Sequence, residues 1–344
     1  MNLVLFNFES DKNSQALSFA LDWVNEIAKN VDKLYVISLR CGEYHVNDNV
    51  EVHCVHQDKK SRLQTIISIW SILKEIHGKD KKIDGYFVHM AHYFVPFIYP
   101  FAKLYNQKIV LWYAHKSVTF TLKLANLLID RAVASTKLGY RIKTDKLKII
   151  GQGINCSRFK IKNDFRDNIK NIITVGRISK VKNIDTIVRT FISVDRTDIF
   201  LYIVGDALAK DDYKYLSLIK ESIPKKFIKN IIFTGSISFE KLPEVYNNMD
   251  LAINISDTGS LDKTILEPMA MGIPIITSND SAREMFLHLN GKGIYLLDSK
   301  KDLSITLKNV LQGNCNFDRK FLQKEIEINH SLTNLSNKIV GEFK

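Results

Sequence analysis

Short apolar runs rich in β-branched residues recur along the chain. They alternate with stretches whose apolar residues return every three or four positions. In the first half the runs are NLVLFNF, KLYVISL, VEVHCV, GYFVHM, KIVLWY, AVAST and KLKII. Between them Leu17, Leu21, Val24 and Ala28 keep a helical period, as do Leu63, Ile66, Ile67, Trp70, Leu73 and Ile76, and both sets are read as core-facing stripes. After Ile150 the passage GQGINCSRFKIKNDFRDN has no period and reads as a linker. Alternation restarts with NIITV, a helix from about Asn183, IFLYIV, a helix from Asp211, NIIFT, a helix from Phe239, LAINI, a helix around Glu267, and IPIIT. The closing stretch Lys320 to Phe343 reads as helix.

Strands alternating with helices predict an α/β fold of parallel sheets wrapped by helices. A chain of 344 residues exceeds what one core usually serves. Two Rossmann-like, doubly wound domains facing a cleft are therefore expected, over residues 1–155 and 156–320, with 321–344 crossing back to the first domain. Such sheets bind ligands beyond the carboxyl ends of their strands.

With 45% hydrophobic and 25% charged residues, the composition is neither disordered nor fibrous. The opening MNLVLFNFES carries no basic segment ahead of its apolar stretch and reads as a buried strand rather than a signal peptide. The nearest approach to a membrane-spanning run, Tyr86 to Tyr105, is interrupted by His89, His92, Pro96, Pro100 and Lys103. Cys41, Cys54, Cys156 and Cys315 lack metal-ligand spacing and are expected as free thiols of a reducing cytosol.

The formal charge of +12 favours an anionic partner. One concentration is Arg131, Lys137, Arg141, Lys143, Lys146 and Lys148, opposed within that stretch by Asp145. It is read either as a solvated surface or, with the aromatic segment Tyr93 to Tyr105, as a face resting on an anionic membrane. Tyr93, Phe94, Phe97, Tyr99 and Phe101 are read first as core or cleft residues. Nucleic acid is disfavoured, because no recognition helix with interleaved aromatics is present.

The chemistry concentrates in the second half. In GRISKVKN, after NIITV, Gly176 permits a tight turn, and Arg177, Lys180 and Lys182 bring cations to a strand's carboxyl end. A bidentate Arg beside a mobile Lys suits a diphosphate. The stretch lacks the Walker spacing, and no Gly-x-Gly-x-x-Gly follows a strand. Two more strand ends carry glycine, at Gly205-Asp206 and Gly235-Ser236, and a third such marker precedes the Glu267 helix in TGS. Glycine there lets backbone approach a flat or phosphorylated guest, and helix N-termini supply free N–H groups. Gly259, Ser260, Leu261, Lys263 and Thr264 are candidate contacts for diphosphate oxygens. Glu267, alone among apolar residues, suits a ribose cis-diol, since one carboxylate accepts from two hydroxyls; a structural ion pair is the other reading.

The motifs GRISKVKN, IVGDA, FTGSISFEKLPEVYNNMDLAINIS and TILEPMAMGIPIIT, in that order over about residues 171–280, resemble the donor-binding domain of retaining glycosyltransferases of the GT-B fold, in particular glycosyltransferase family four, the glycosyl transferases group 1. The resemblance implies that Arg177 and Lys182 bind the donor diphosphate and carry most of the rate, that Glu267 holds the ribose, and that the Gly235-Ser236-Ile237 backbone meets the base. Gly176, Gly205 and Asp206 belong to the same donor site. In the first half LWYAHKS places His115 where the family often carries a histidine near the reaction centre.

This chain departs from the family twice. The first glutamate of the family's usual pair is replaced by Gly259, and Leu261-Asp262 stands where Phe-Gly is usual, so Asp262 or Lys263 is expected to touch the sugar. After the first strand FNFESDKNSQ lacks the frequent Gly-Gly. The activity implied is transfer of a hexosyl group, with retention, from a UDP or GDP type donor to a glycan or lipid-linked acceptor in cell-surface polysaccharide assembly. It is expected in the cytoplasm at the inner membrane face, with no cofactor and, lacking Asp-x-Asp, no metal. The rival is a non-catalytic GT-B module that binds a nucleotide sugar or glycan, motivated by Gly259.

Overall fold

The computed structural model describes residues 1–14, 17–80, 82–160, 168–313 and 317–344. The chain divides into two compact units, Met1–Gly153 with Leu332–Lys344, and Ile154–Ser331.

Unit 1 holds β1 (Asn2–Ser10), α1 (Phe19–Ala28), β2 (Lys33–Cys41), β3 (Val50–Cys54), α2 (Arg62–Lys79), β4 (Gly85–His89), α3 (Val95–Leu104), β5 (Lys108–Trp112), α4 (Phe120–Leu128), β6 (Arg131–Ala134) and β7 (Leu147–Ile149). Its strands pair in parallel in the order β3-β2-β1-β4-β5-β6-β7. Central parallel strands are covered on both faces, so they read as unbroken apolar runs. β4 is buried at every position. One face of the sheet packs on α2, α3 and α4, and the other on α1 and the chain's last helix.

Unit 2 repeats the plan with β8 (Asn171–Val175), α5 (Ile184–Ser193), β9 (Phe200–Val204), α6 (Lys210–Glu221), β10 (Ile231–Gly235), α7 (Leu242–Tyr246), β11 (Leu251–Asn254), α8 (Lys263–Ala270), β12 (Ile275–Thr277), α9 (Asp280–Phe286), β13 (Ile294–Leu296), α10 (Leu303–Leu311) and α11 (Arg319–Asn329). The order is β10-β9-β8-β11-β12-β13, again parallel. The three-residue β13 and the helices α9 and α10 are elements that the apolar pattern did not single out. Part of the expected linker is core: Phe159 is buried against Phe239 and Tyr246. Linker residues 161–167 lie outside the described residues. Among the described residues no helix is long and apolar enough to cross a membrane.

The stretch Lys320 to Phe343 is two helices. α11 packs on α8 in unit 2. The chain then turns at His330-Ser331, and α12 (Leu332–Gly341) lies against α1 in unit 1. Glycines make room for it: a Cβ on Gly85 would stand 2.5 Å from the Phe343 ring, and one on Gly153 would stand 2.7 Å from Leu335.

Two expectations change. The α2 stripe does not all face the core. Ile69, Leu73 and Ile76 are buried, whereas Leu63, Ile67 and Trp70 are 67%, 57% and 40% exposed. A helix offers the sheet only one stripe, and positions i, i+4 and i+7 beginning at Leu63 lie on another side of it. Cys41 and Cys54 are not thiols but a disulfide: they end the neighbouring strands β2 and β3, with Cα atoms 5.9 Å apart. Cys156 is free, its thiol pushed up to about 11 by burial first and then by Glu327, and Cys315 lies outside the described residues. In the basic stretch 131–148, Lys137, Arg141, Lys143 and Lys148 are exposed, in keeping with a solvated surface, and three of its cations also have partners in the fold. Arg131 and Lys148 pair with Glu342 at 3.2 and 2.5 Å, and Lys146 caps α4 by donating to the carbonyls of Asn126, Leu127 and Ile129.

Ile339 of α12 is fully buried in unit 1. Ile339→Ala is expected to destabilise the protein by about 2–5 kcal/mol, the usual cost of such a cavity, read as a lowered urea midpoint with the m-value unchanged.

Candidate functional site

In unit 2 the neighbouring strands β10, β9 and β8 each meet a glycine at the carboxyl end: Gly235 is the last residue of β10, and Gly205 and Gly176 directly follow β9 and β8. Gly235, Gly205 and Gly176 have φ of 72°, 135° and 145°, a region that favours glycine. The strand ends are joined through backbone: Gly205 N–H donates to Gly235 O at 2.9 Å, Gly176 N–H to Val204 O at 2.9 Å, and Ile178 N–H to Asp206 O at 3.0 Å. A Cβ on Gly205 would lie 2.1 Å from Gly176 O. The result is a side-chain-free shelf at the carboxyl edge of the sheet. Ser236 is exposed beside it, while Ile237 is half-buried and packs toward the core.

Lys182 rises against this shelf. Its Cε lies 3.3 Å from where a Gly176 Cβ would stand. Its ammonium donates to Asp262 Oδ2 at 2.6 Å. The same oxygen accepts from Ser256 Oγ at 2.6 Å and Asn254 Nδ2 at 3.1 Å, and Oδ1 accepts from Thr258 Oγ1 at 2.8 Å. Burial alone would raise the Asp262 pKa. The Lys182 charge and these hydrogen bonds outweigh it and hold the carboxyl below the usual carboxylate range. Asp262 precedes α8 without its side chain capping that helix. Both of its oxygens accept from protein, Oδ2 from three donors and Oδ1 from one.

Arg177 is more loosely held: 53% of its side chain is exposed, and its Nε lies 3.8 Å from Asp212 Oδ2 on α6. The loop 258–261 that leads into α8 is pinned from α9. Asn279 Nδ2 donates to Ser260 O at 2.9 Å, and Ser281 Oγ donates to Gly259 O at 3.4 Å. Gly259 sits at φ 69°, the Leu261 side chain is in the core, and Thr264 Oγ1 accepts from Asn254 Nδ2 at 2.9 Å.

Glu267, on the second turn of α8 after Lys263, is 3% exposed. Tyr246 O–H donates to its Oε2 at 3.4 Å. Burial pushes its pKa up to about 7; Lys263 and the Tyr246 hydrogen bond pull it down, and Asp262 pushes it up. The Tyr246 hydroxyl is itself raised well above its usual value, first by burial and then by Glu267.

His115 belongs to unit 1, exposed three residues beyond β5. Its backbone N–H donates to Gly139 O at 2.9 Å, and Ser117 backbone N–H donates to its ring Nδ1 at 3.1 Å. That geometry assigns the neutral ring's proton to Nε2. Thr119 and Thr121, a few residues past this turn, place their hydroxyls 3.2 and 3.0 Å from His92 Nε2, and burial lowers the His92 pKa.

Sequence reasoning thus named Gly176, Lys182, Gly205, Gly235, Asp262 and Glu267, which unit 2 gathers at its strand ends and α8. It missed Asn254, Ser256, Thr258, Tyr246, Asn279 and Ser281. The only hint was the density of small hydroxyl residues around one aspartate in NISDTGSLD.

Asp262→Asn is expected to cost about 3 kcal/mol or more, because an ammonium largely withdrawn from water loses its counter-charge. Adding Lys182→Met should recover part of that loss, measured by urea denaturation as a double-mutant cycle. Gly205→Ala should destabilise by about 1–3 kcal/mol through strain and the Gly176 carbonyl clash; a thermal midpoint equal to the wild type would contradict that reading of the shelf.

Residues 169–312 match the family described as "Glycosyl transferases group 1". Among curated proteins, an alpha-monoglucosyldiacylglycerol synthase of Streptococcus pneumoniae is 28% identical over 153 residues, 40% of this chain and 33% of that protein. An uncharacterized glycosyltransferase of Methanocaldococcus jannaschii is 28% identical over 166 residues, 44% of this chain and 41% of that protein. The matches therefore span well under half of either relative. Among solved structures, Anabaena HepE in complex with UDP and glucose superposes with a TM-score of 0.77 at 14% identity, covering 99% of both chains. Residues 169–312 thus resemble the glycosyl transferases group 1 family, and the fold is the GT-B architecture of two Rossmann-like units.

Proposed function

We propose that the protein is a retaining glycosyltransferase that moves a hexosyl group from a UDP or GDP type sugar to a hydroxyl of a glycan or lipid-linked acceptor. The observation that carries this reading is the Lys182 ammonium held against the Gly176 shelf beside the N-terminus of α8. A leaving diphosphate needs positive charge already in place, and such preorganisation is commonly the largest catalytic term. Lys182, the exposed Arg177 and the first N–H groups of α8 supply it. Glu267 accepts the two ribose hydroxyls, and Gly235-Ser236-Ile237 supports the base. In the transfer the acceptor oxygen forms the new glycosidic bond on the face from which the diphosphate departs, the anomeric carbon–oxygen bond breaks, and the acceptor's proton leaves with the diphosphate oxygen. His115 orients the acceptor hydroxyl. No step in this scheme calls on a metal. HepE is described in complex with UDP, which supports a uridine donor here. The place of action is the cytoplasm at the inner membrane face, in cell-surface polysaccharide assembly.

The second reading is a GT-B module that binds a nucleotide sugar without turning it over, favoured by Gly259, which offers the sugar no carboxylate. Stabilisation of the purified protein by UDP or GDP, with sugar released from the matching donor, supports the transferase. Stabilisation without release, with acceptors supplied, supports the module. Arg177→Ala and Lys182→Ala should each lower turnover by about 10²–10³. No stabilisation by any nucleoside diphosphate would overturn both readings.

The Glu267 carboxyl, raised toward 7, gives a pH signature. With its folded pKa above the ordinary glutamate value, its contribution to folding stability is complete below about pH 4.5 and is lost as pH rises through about 7. Nucleotide binding should run the other way, since the ionised form accepts both ribose hydroxyls: the nucleotide Kd should fall between about pH 6 and 8. Glu267→Gln should flatten that slope in a calorimetric titration.

A further inference from the structure

The outer side of α2, α3 and α4 carries apolar residues that the protein's own core does not use. Phe120 and Leu127 on α4 are 80% and 73% exposed, Leu104 at the end of α3 is 74% exposed, and Leu63, Ile67 and Trp70 line α2. The three helices cover one face of the unit 1 sheet, with α3 packing on both α2 and α4. Trp70 joins two of them: its indole N–H donates to Phe97 O at 3.0 Å, and its ring meets Phe101 at 6.4 Å.

The charge is as uneven as the hydrophobicity. Residues 59–129, which contain these helices, hold 11 Lys and Arg against 3 Asp and Glu, whereas residues 1–58 hold 4 against 9. Of the three acids, Glu75 is paired with Lys79 at 2.7 Å, and Asp80 and Asp84 accept hydrogen bonds from Asn2 at the start of β1, the edge of the sheet away from the strand ends. Arg62 and Lys123, both exposed, stand next to Leu63 and Phe120 at the N-terminal ends of α2 and α4. Helices of a parallel sheet run against their strands, so those ends lie toward the strand ends that carry His115.

We infer that this face docks on an anionic lipid bilayer, with Phe120, Leu127, Leu63 and Ile67 entering the interface and the lysines meeting lipid phosphates. Lysine is depleted in protein–protein interfaces, so apolar residues flanked by exposed Arg62 and Lys123 in a lysine-rich segment fit headgroups better than a protein surface. Long basic side chains keep their charge at phosphate depth while their stems lie on apolar surface. The inference moves the bilayer contact away from the stretch 131–148, where Arg131 and Lys148 are paired with Glu342 and Lys146 caps α4. It goes beyond the proposed sugar transfer and stands without it.

Trp70 is a built-in probe, because Trp23 and Trp112 are buried. The test is flotation with vesicles of phosphatidylglycerol and phosphatidylcholine, against phosphatidylcholine alone, with tryptophan emission recorded in parallel. The expected result is salt-sensitive binding to the anionic vesicles with a blue shift that Trp70→Phe removes. Phe120→Ser with Leu127→Ser should weaken binding at least about tenfold, and Lys123→Glu by about fivefold, while the thermal midpoint of the free protein and its nucleotide binding stay unchanged. No binding to anionic vesicles at low salt overturns the inference, as does full binding by the double variant. So does a wild-type dimer that the same double variant turns into monomer, since the face would then be covered by a second copy.

Discussion

The second unit is organised around one buried negative charge. Asp262 is withdrawn from water and stays ionised because Lys182, Ser256, Asn254 and Thr258 all point at it. An unmatched carboxylate there would be costly, so the donors and the carboxylate hold each other in place. The donors come from three separate pieces of chain: the turn after β8, the end of β11, and the loop entering α8. The contact therefore determines where Lys182 stands, how the loop 256–262 is folded, and where α8 begins. Asn183, at φ 53°, ties the same turn to Ile255 O and to Asp257, so the cation sits on a braced support rather than a flexible arm.

That bracing explains the difference between the two cations of the candidate site. Lys182 is preorganised and shielded, with its counter-charge supplied by protein. Arg177 is exposed and only 3.8 Å from a distant partner. A preorganised cation stabilises developing charge without reorganising, while a mobile one adapts to what arrives. The glycines complete the arrangement in a negative sense. Lys182 lies alongside Gly176, and Gly205 packs on the Gly176 carbonyl, so a side chain at either position would push the shelf apart.

Legibility followed the range of the interactions. Parallel strands buried on both faces advertise themselves as apolar runs, and every run read as a strand is one. Glycines needed at strand ends and the lone carboxylate of TILEPMAM were also visible, because backbone conformation and an ill-fitting charge are local properties. What stayed hidden depends on pairing across the fold. Tyr246 reaches Glu267 across 21 positions, Asn279 reaches Ser260 across 19, and Cys41 meets Cys54 only because β2 and β3 are neighbours. Periodicity misjudged α2 for a different reason. It detects apolar spacing but not how many sides of a helix are apolar, and α2 has more than the sheet can cover.

Glu267 shows how these levels meet. A glutamate at 3% exposure among Ile265, Leu266 and Met269 is costly unless something offsets its desolvation. The protein offers one long hydrogen bond from Tyr246 and the charge of Lys263 one turn earlier, and its pKa still rises to about 7. Asp262, its side chain 11% exposed, is driven the opposite way because its donors are many and one is charged. Two carboxylates five residues apart thus have opposite fates, decided by the number of donors each receives. The carboxylate satisfied by protein is structural and positions a cation. The one left under-satisfied retains unused acceptor capacity, at a desolvation cost that its single hydroxyl donor does not offset.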